Sequence, residues 1–205
     1  PSPVTAHGVF LGIKAALAHR RGSDQLEGVT VAVQGLGSVG RTLCDKLNAE
    51  GAELIVADID ESRVSDAVRT LGAKAVPTAS ILSAEADVLA PCALGGLFSE
   101  VSIPHVQAEI VAGAANNQLA RHDDARLLME RGILYAPDYV INGGGLINVA
   151  AELAPGGYDR ADAMARVARI PDVLADIFRR SDAEGRPTND IAQEIAAERL
   201  AAARS

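Results

Sequence analysis

Several features that would identify particular protein classes are scarce in this chain. Its two cysteines, Cys44 and Cys92, are far apart and form no CxxC or Cys/His cluster, which argues against a disulfide framework and against a metal site. No run approaches the roughly 18 to 20 uninterrupted apolar residues of a membrane span, and the N-terminus has no signal-peptide core. These absences favour a protein of the reducing cytoplasm that has no membrane partner.

Basic residues are also in the minority. The chain has 19 Lys and Arg against 27 Asp and Glu, a formal net charge of −8. Nucleic acids and anionic membranes are bound by clustered Lys and Arg, so neither is expected as a partner, and small molecules or other protein chains fit better. The chain begins Pro1-Ser2-Pro3 without an initiator methionine, from which we expect a piece of a longer parent.

The composition is that of an ordinary globular protein. With 205 residues, 48% hydrophobic and 22% charged, the chain is long enough to bury a core, and one domain with a helical appendage is expected. Apolar residues at helical spacing predict a first helix from Thr5, its N-cap, to about His19, followed by a polar loop over 20–28.

Strands and helices then alternate along the sequence. Short apolar runs predict strands over 29–34, 54–57, 74–76, 88–90, 110–112 and 133–135, and helical patterns cover 39–50 and 61–71. From Gly145 onward the sequence is almost entirely helical, with breaks at Pro171 and at 185–187, and Thr188 is a candidate N-cap. The predicted fold class is α/β, a Rossmann-type doubly wound, mostly parallel sheet with additional C-terminal helices.

A glycine-rich turn follows the first predicted strand and opens a helix. Gly35-Leu36-Gly37-Ser38-Val39-Gly40 matches GxGxxG in the context that dinucleotide binding requires. Gly35 permits the tight turn, Gly37 lets backbone N–H groups approach a pyrophosphate, and Gly40 allows close helix–strand packing. The N-terminus of the helix then faces the anion.

An acid at the end of the second strand supports the same interpretation. Asp58 lies about 20 residues beyond the glycines, where a carboxylate accepts hydrogen bonds from the adenosine ribose and repels the 2′-phosphate of NADP, so NAD is the predicted cofactor. Arg63, a few residues on, offers a positive charge that a phosphate could meet, but the favoured prediction is a solvated helix residue. Enzymes that use S-adenosylmethionine also place an acid after a glycine turn, so this local pattern alone leaves the ligand open.

Three further segments follow predicted strands and therefore belong to the ligand-binding edge of the sheet. The first is 91–96, where small residues leave room for a ring and Cys92 is predicted to be a small buried filler. The second is 113–118, where Asn116 and Asn117 offer either ligand contacts or turn chemistry. The third contains the triplet Gly143-Gly144-Gly145, which implies close backbone approach or a hinge.

These segments together resemble one known family. The quoted motifs are PSPVTAHGV, GLGSVG, APCALGG, VAGAANNQL and LYAPDYVINGGGLINVAAEL. They are similar in content and order to the cofactor domain of the Glu/Leu/Phe/Val dehydrogenase family, nearest its leucine, valine and phenylalanine branch. The resemblance spans nearly the whole chain and implies reversible oxidative deamination of a branched-chain or aromatic L-amino acid to a 2-oxo acid and ammonia.

The resemblance also implies roles for particular residues. Thr5 would hydrogen-bond the carboxamide of nicotinamide, and Asn116 would contact both the cofactor and the substrate. The full implied set of cofactor-binding residues is Thr5, Gly35, Leu36, Gly37, Ser38, Val39, Gly40, Asp58, Ile59, Cys92, Ala93, Ala114, Ala115, Asn116 and Asn142.

The family's general-base lysine, carboxylate-binding lysine and catalytic aspartate belong to a preceding substrate domain. We therefore predict no catalytic residue in this chain and no turnover without that domain. The predicted units are a cofactor domain over 1–150 and a helical extension over 151–205, packed on it or on the substrate domain. A homo-oligomer is compatible with the family, and the alternatives are a stand-alone NAD-binding or regulatory module and another Rossmann enzyme such as a methyltransferase.

Overall fold

Six parallel strands form the centre of the fold. A computed structural model of the chain describes residues 2–153 and 159–202. Its strands are β1 (Thr30–Gln34), β2 (Glu53–Ala57), β3 (Lys74–Ala75), β4 (Val88–Pro91), β5 (Ile110–Val111) and β6 (Leu134–Tyr135), in the order β3-β2-β1-β4-β5-β6. The order reverses between β1 and β4, which confirms the predicted doubly wound sheet and places a crevice at the carboxyl ends of these two strands.

Helices connect and cover the strands. They are α1 (Ser2–Arg21), α2 (Ser38–Ala49), α3 (Glu61–Leu71), α4 (Asp124–Glu130), α5 (Asp138–Ile141), α6 (Gly144–Glu152), α7 (Arg160–Val167), α8 (Ile170–Glu184) and α9 (Thr188–Ala202), with 3-10 helices at Thr78–Ser83 and Ile103–His105. Within the described residues, no helix combines the length and apolar character needed to cross a bilayer.

The core lies on both faces of the sheet, as the apolar strands predict. Val31 and Val33 of β1 face a cluster that also contains residues of α1, α2, α8 and α9, whereas Ala32 faces a second cluster around Phe98 and Leu128. Adjacent strand residues point to opposite faces, so this alternation fixes which side chains remain at the strand ends for binding.

The C-terminal helices bury their apolar faces in the first of these clusters. Leu174, Ile177 and Phe178 of α8 and Ile191 and Ile195 of α9 are buried together with residues of the sheet. The division of the chain at residue 150 stays a prediction, and part of the predicted extension, 154–158 and 203–205, lies outside the described residues, as does Pro1 of the PSPVTAHGV motif.

Two predicted helix caps are wrong. Helix α1 begins at Ser2, so Thr5 lies inside it; Pro3 does not delay the start because proline is tolerated in the first helical turn. Thr188 is the first residue of α9 rather than the residue before it, and its hydroxyl donates to the Tyr135 carbonyl at 2.7 Å. The break at Pro171 is confirmed, because that proline lies in the first turn of α8.

Candidate functional site

A cleft opens at the carboxyl ends of β1, β2 and β4. Its volume is about 430 Å³. Its lining contains six of the predicted cofactor-binding residues, namely Gly35, Gly37, Asp58, Ile59, Cys92 and Ala93. The remaining lining residues are Gln34, Ala57, Arg63, Thr78 and Leu94. The cleft therefore coincides with the switch point at which open α/β sheets bind their ligands.

The three motif glycines serve three different purposes in the turn. Gly35 has a φ of +93°, a backbone conformation that residues with a side chain rarely adopt. A Cβ atom at Gly40 would lie 1.9 Å from the Gly35 carbonyl oxygen, so this glycine lets α2 pack against the turn. Gly37 has an ordinary extended conformation, and a Cβ there would meet only the Arg63 guanidinium, at 4.0 Å. The missing side chain of Gly37 thus leaves space in the cleft.

The Asp58 carboxylate is joined to the turn by hydrogen bonds. It accepts the N–H of Leu36 on one oxygen and the N–H of Asp60 on the other, the latter at 2.8 Å. Asp58 is half-buried and lines the cleft, so its charge faces the space beside the glycines. The exposed Ser38 and half-buried Val39 follow in the first turn of α2, whose Gly37 cap makes no side-chain hydrogen bond.

Two apolar side chains border the cleft and face solvent. Ile59 is 93% exposed and Leu94 is 79% exposed, although both are large hydrophobic residues. Exposed apolar area beside a concave site is typical of a surface that a ligand ring covers. Ala93 packs against the glycine turn, because a Cβ atom added at Gly35 would lie only 2.7 Å from the Ala93 Cβ.

Cys92 is a packing residue at the base of this cleft. Its side chain is half-buried and contacts the main core cluster, and burial raises the pKa of its thiol from 9.0 to about 11. A thiol with a raised pKa carries less thiolate at any pH below that value, and the thiolate is the nucleophile. The arrangement opposes a nucleophilic role for Cys92.

Alkylation tests this interpretation. At pH 8, Cys92 should react with iodoacetamide about 100-fold more slowly than an unhindered cysteine, because two pKa units lower the thiolate fraction by that factor. The rate, followed by peptide mass spectrometry, should rise steeply towards pH 11. The same chain in urea supplies the control, and equal rates in the folded and unfolded chain would contradict the prediction.

A second group of predicted residues meets beside β5 and α5. The Asn142 side chain donates to the Asn116 side-chain oxygen at 2.7 Å and to the Ala114 carbonyl at 3.2 Å. Ala115 is buried, whereas Asn116 is exposed. Asn117 has a φ of +52°, which supports the turn interpretation for this residue.

Two residues that the sequence analysis did not single out hold this loop in place. Gln118 is fully buried and donates its side-chain N–H to the carbonyls of Gly113 and Ala115, both at 3.0 Å. Its backbone N–H donates to the carboxylate of Asp138, which is 7% exposed, at 2.8 Å. The only sequence signal was that both residues closely follow predicted strands.

The glycine triplet permits a close approach between α1 and α6. A Cβ at Gly144 would lie 2.7 Å from the Val4 carbonyl oxygen, and one at Gly145 would lie 2.9 Å from the Thr5 hydroxyl oxygen. This geometry favours close backbone approach over a hinge. It also places Thr5 against the helix that begins two residues after Asn142.

Comparisons with known proteins identify a family and several relatives that this chain is similar to. The family model described as Glutamate/Leucine/Phenylalanine/Valine dehydrogenase matches residues 56–204. Leucine dehydrogenase of Bacillus cereus is 48% identical over 201 residues, which are 98% of this chain and 54% of that protein. Valine dehydrogenase of Streptomyces albus is 41% identical over an alignment of 211 positions, which covers 100% of this chain and 56% of that protein.

A solved structure shows the same fold. L-tryptophan dehydrogenase from Nostoc punctiforme superposes with a TM-score of 0.94 and 47% identity, covering 98% of this chain and 60% of that one. The chain thus spans about half the length of the curated relatives that it matches.

Proposed function

Because this chain belongs to the Glutamate/Leucine/Phenylalanine/Valine dehydrogenase family, we propose that it is the NAD-binding part of an amino-acid dehydrogenase. The observation that carries the proposal is the cleft at the switch point, where the glycine turn and the Asp58 carboxylate face the same space. The proposed reaction is the oxidative deamination of an L-amino acid to a 2-oxo acid and ammonia. Bound NAD would supply the hydride acceptor.

The described residues fit this cofactor. The space over Gly37 and the first turn of α2 suits a pyrophosphate, since helix N-termini bind anions through backbone N–H groups. Asp58 suits the hydroxyls of the adenosine ribose, and its charge opposes the additional phosphate of NADP. Ile59 and Leu94 offer apolar contact to a planar ring.

The Asn116–Asn142 pair suits the nicotinamide and substrate end of the site. Asn142 donates to the Ala114 carbonyl and to the Asn116 side-chain oxygen, and the second bond holds the Asn116 side chain beside Asn142. Helix α6, beginning two residues later, exposes Leu146 and Val149, which are 76% and 42% accessible. An exposed apolar helix face beside polar amides supports a substrate with an apolar side chain.

The general base of the proposed reaction is expected to come from outside this chain. The chain has three lysines, Lys14, Lys46 and Lys74, and none of them is among the residues that line the cleft. Lys14 is held by Glu50 at 2.6 Å, which keeps its pKa raised and its ammonium charged. A charged ammonium cannot accept a proton, so we expect cofactor binding without turnover from the chain alone.

Calorimetric titration tests the proposed function. We expect saturable binding of NAD and weaker binding of NADP, and Asp58→Ala should weaken NAD binding about ten- to a hundredfold, since hydrogen bonds to a charged group contribute about 1.5 to 3 kcal/mol. Glu53→Ala is the matched control, because that exposed carboxylate lies at the opposite end of the same strand. Preference for NADP, or no binding by a folded chain, would refute the proposal.

A further inference from the structure

A single cation faces the proposed cofactor cleft. Among the described residues that line it, Arg63 is the only one with a positive charge, and Asp58 is the only one with a negative charge. The chain as a whole carries −8, so an anionic ligand approaches an unfavourable field. A positive side chain inside the cleft offsets part of that field for such a ligand.

The Arg63 guanidinium lies over the glycine turn. Its Nη1 atom is 4.0 Å from the position that a Cβ of Gly37 would occupy, which is the space left open by that glycine. The Nε atom of the same guanidinium lies 3.2 Å from the Asp60 carboxylate. Arg63 thus points one edge at Asp60 and another at the cleft.

The Asp60 partner is itself held in its ionised form. Its Oδ1 atom accepts the hydroxyl and the backbone N–H of Ser62, at 2.6 Å and 3.0 Å, and these bonds lower the pKa of Asp60. Its Oδ2 atom is left to face Arg63. A carboxylate anchored in this way orients a guanidinium without covering its remaining N–H groups, of which arginine has five.

We propose that Arg63 binds the diphosphate of the nicotinamide cofactor, a role additional to that of the glycine turn, and this inference rests on the proposed function. Arginine is suited to phosphate because its planar N–H groups form paired, charge-assisted hydrogen bonds. The Arg63 side chain is 52% exposed, so solvent screening limits the gain from this contact. The geometry favours the diphosphate over a 2′-phosphate, because the guanidinium faces Gly37 at the start of α2.

Calorimetry on Arg63→Gln tests the inference. We expect NAD to bind about fivefold to tenfold more weakly, while adenosine, which has the ring and ribose but no phosphate, binds unchanged. The salt dependence of NAD binding should also become shallower, since one ion contact is lost. Arg63→Lys keeps the charge without the planar geometry and should recover part of the affinity.

Arg69→Gln is the matched control. This substitution removes the same charge from the same helix. The Arg69 side chain is 73% exposed and pairs with Asp66, and it is not among the residues that line the cleft. It should leave NAD affinity unchanged. Equal losses of NAD affinity in the two glutamine variants would overturn the role of Arg63. So would an Arg63→Gln variant that loses adenosine affinity as much as NAD affinity, or one that loses affinity for NADP alone. If the unaltered chain is folded and binds no NAD, the proposed function itself fails.

Discussion

Gly40→Ala should be the most destabilising single methyl addition in the glycine turn. The new Cβ would lie 1.9 Å from the Gly35 carbonyl oxygen and 3.2 Å from the Cys92 Cβ. Helix propensity alone would favour alanine here by about 1 kcal/mol, so any loss must come from the clash. Backbone atoms cannot move aside as a flexible side chain can, and we expect a loss of about 3 kcal/mol or more in the free energy of unfolding, measured by urea denaturation.

Gly37→Ala separates binding from folding in the same turn. Its backbone is extended, with φ −63° and ψ −172°, and the nearest atom to a Cβ is 4.0 Å away. Gly37 is the N-cap of α2, where alanine is less favourable than glycine, so the free energy of unfolding should fall by about 1 kcal/mol at most. The methyl group would occupy the space proposed for the pyrophosphate, so NAD affinity should fall at least tenfold. If Gly37→Ala unfolds as readily as Gly40→Ala, or binds NAD normally, the assignment of the turn is wrong.

The fold was predictable because its signals are local. Each buried strand has its own apolar run, and the strand and helix boundaries predicted for 54–57 and 61–71 differ from the structure by at most one residue. The glycine turn was equally accessible, because the backbone conformation of Gly35 and the contact of Gly40 with the Gly35 carbonyl are set within the turn itself. The cap at Thr5 was misplaced because proline is tolerated in the first turn of α1, which begins before Thr5. The cap at Thr188 was misplaced because the hydrogen bonds of α9 begin at the Pro187 carbonyl.

The parts of the site that depend on distant residues were not predictable. Arg63 was predicted to be a solvated helix residue and is 52% exposed, but only the packing of α3 beside the turn shows that it also lines the cleft. Gln118 and Asp138 are 20 residues apart, and nothing in their spacing predicts a hydrogen bond between them. A sequence reports which residues follow a strand, but not which of them become buried partners.

Asp138→Ala should therefore have a large effect, although the sequence pattern assigns no role to Asp138. The carboxylate is 7% exposed and accepts the N–H groups of Gln118 and Tyr139, at 2.8 Å and 2.7 Å. Removing it leaves the Gln118 N–H buried without its acceptor. Buried groups that lose a charged partner cost about 1 to 3 kcal/mol each, so we expect a loss of about 3 kcal/mol in the free energy of unfolding, measured in urea.

The matched control for this change is Asp123→Ala. Asp123 is exposed and makes no side-chain capping bond at the start of α4, so its removal should change stability by less than about 0.5 kcal/mol. A small effect at both positions would mean that other bonds, such as the 2.6 Å bond from the Gly96 N–H to the Asn117 carbonyl, suffice to hold the loop. A large effect at Asp138 alone would show that a buried carboxylate, 22 residues beyond Asn116, stabilises the loop that carries Asn116.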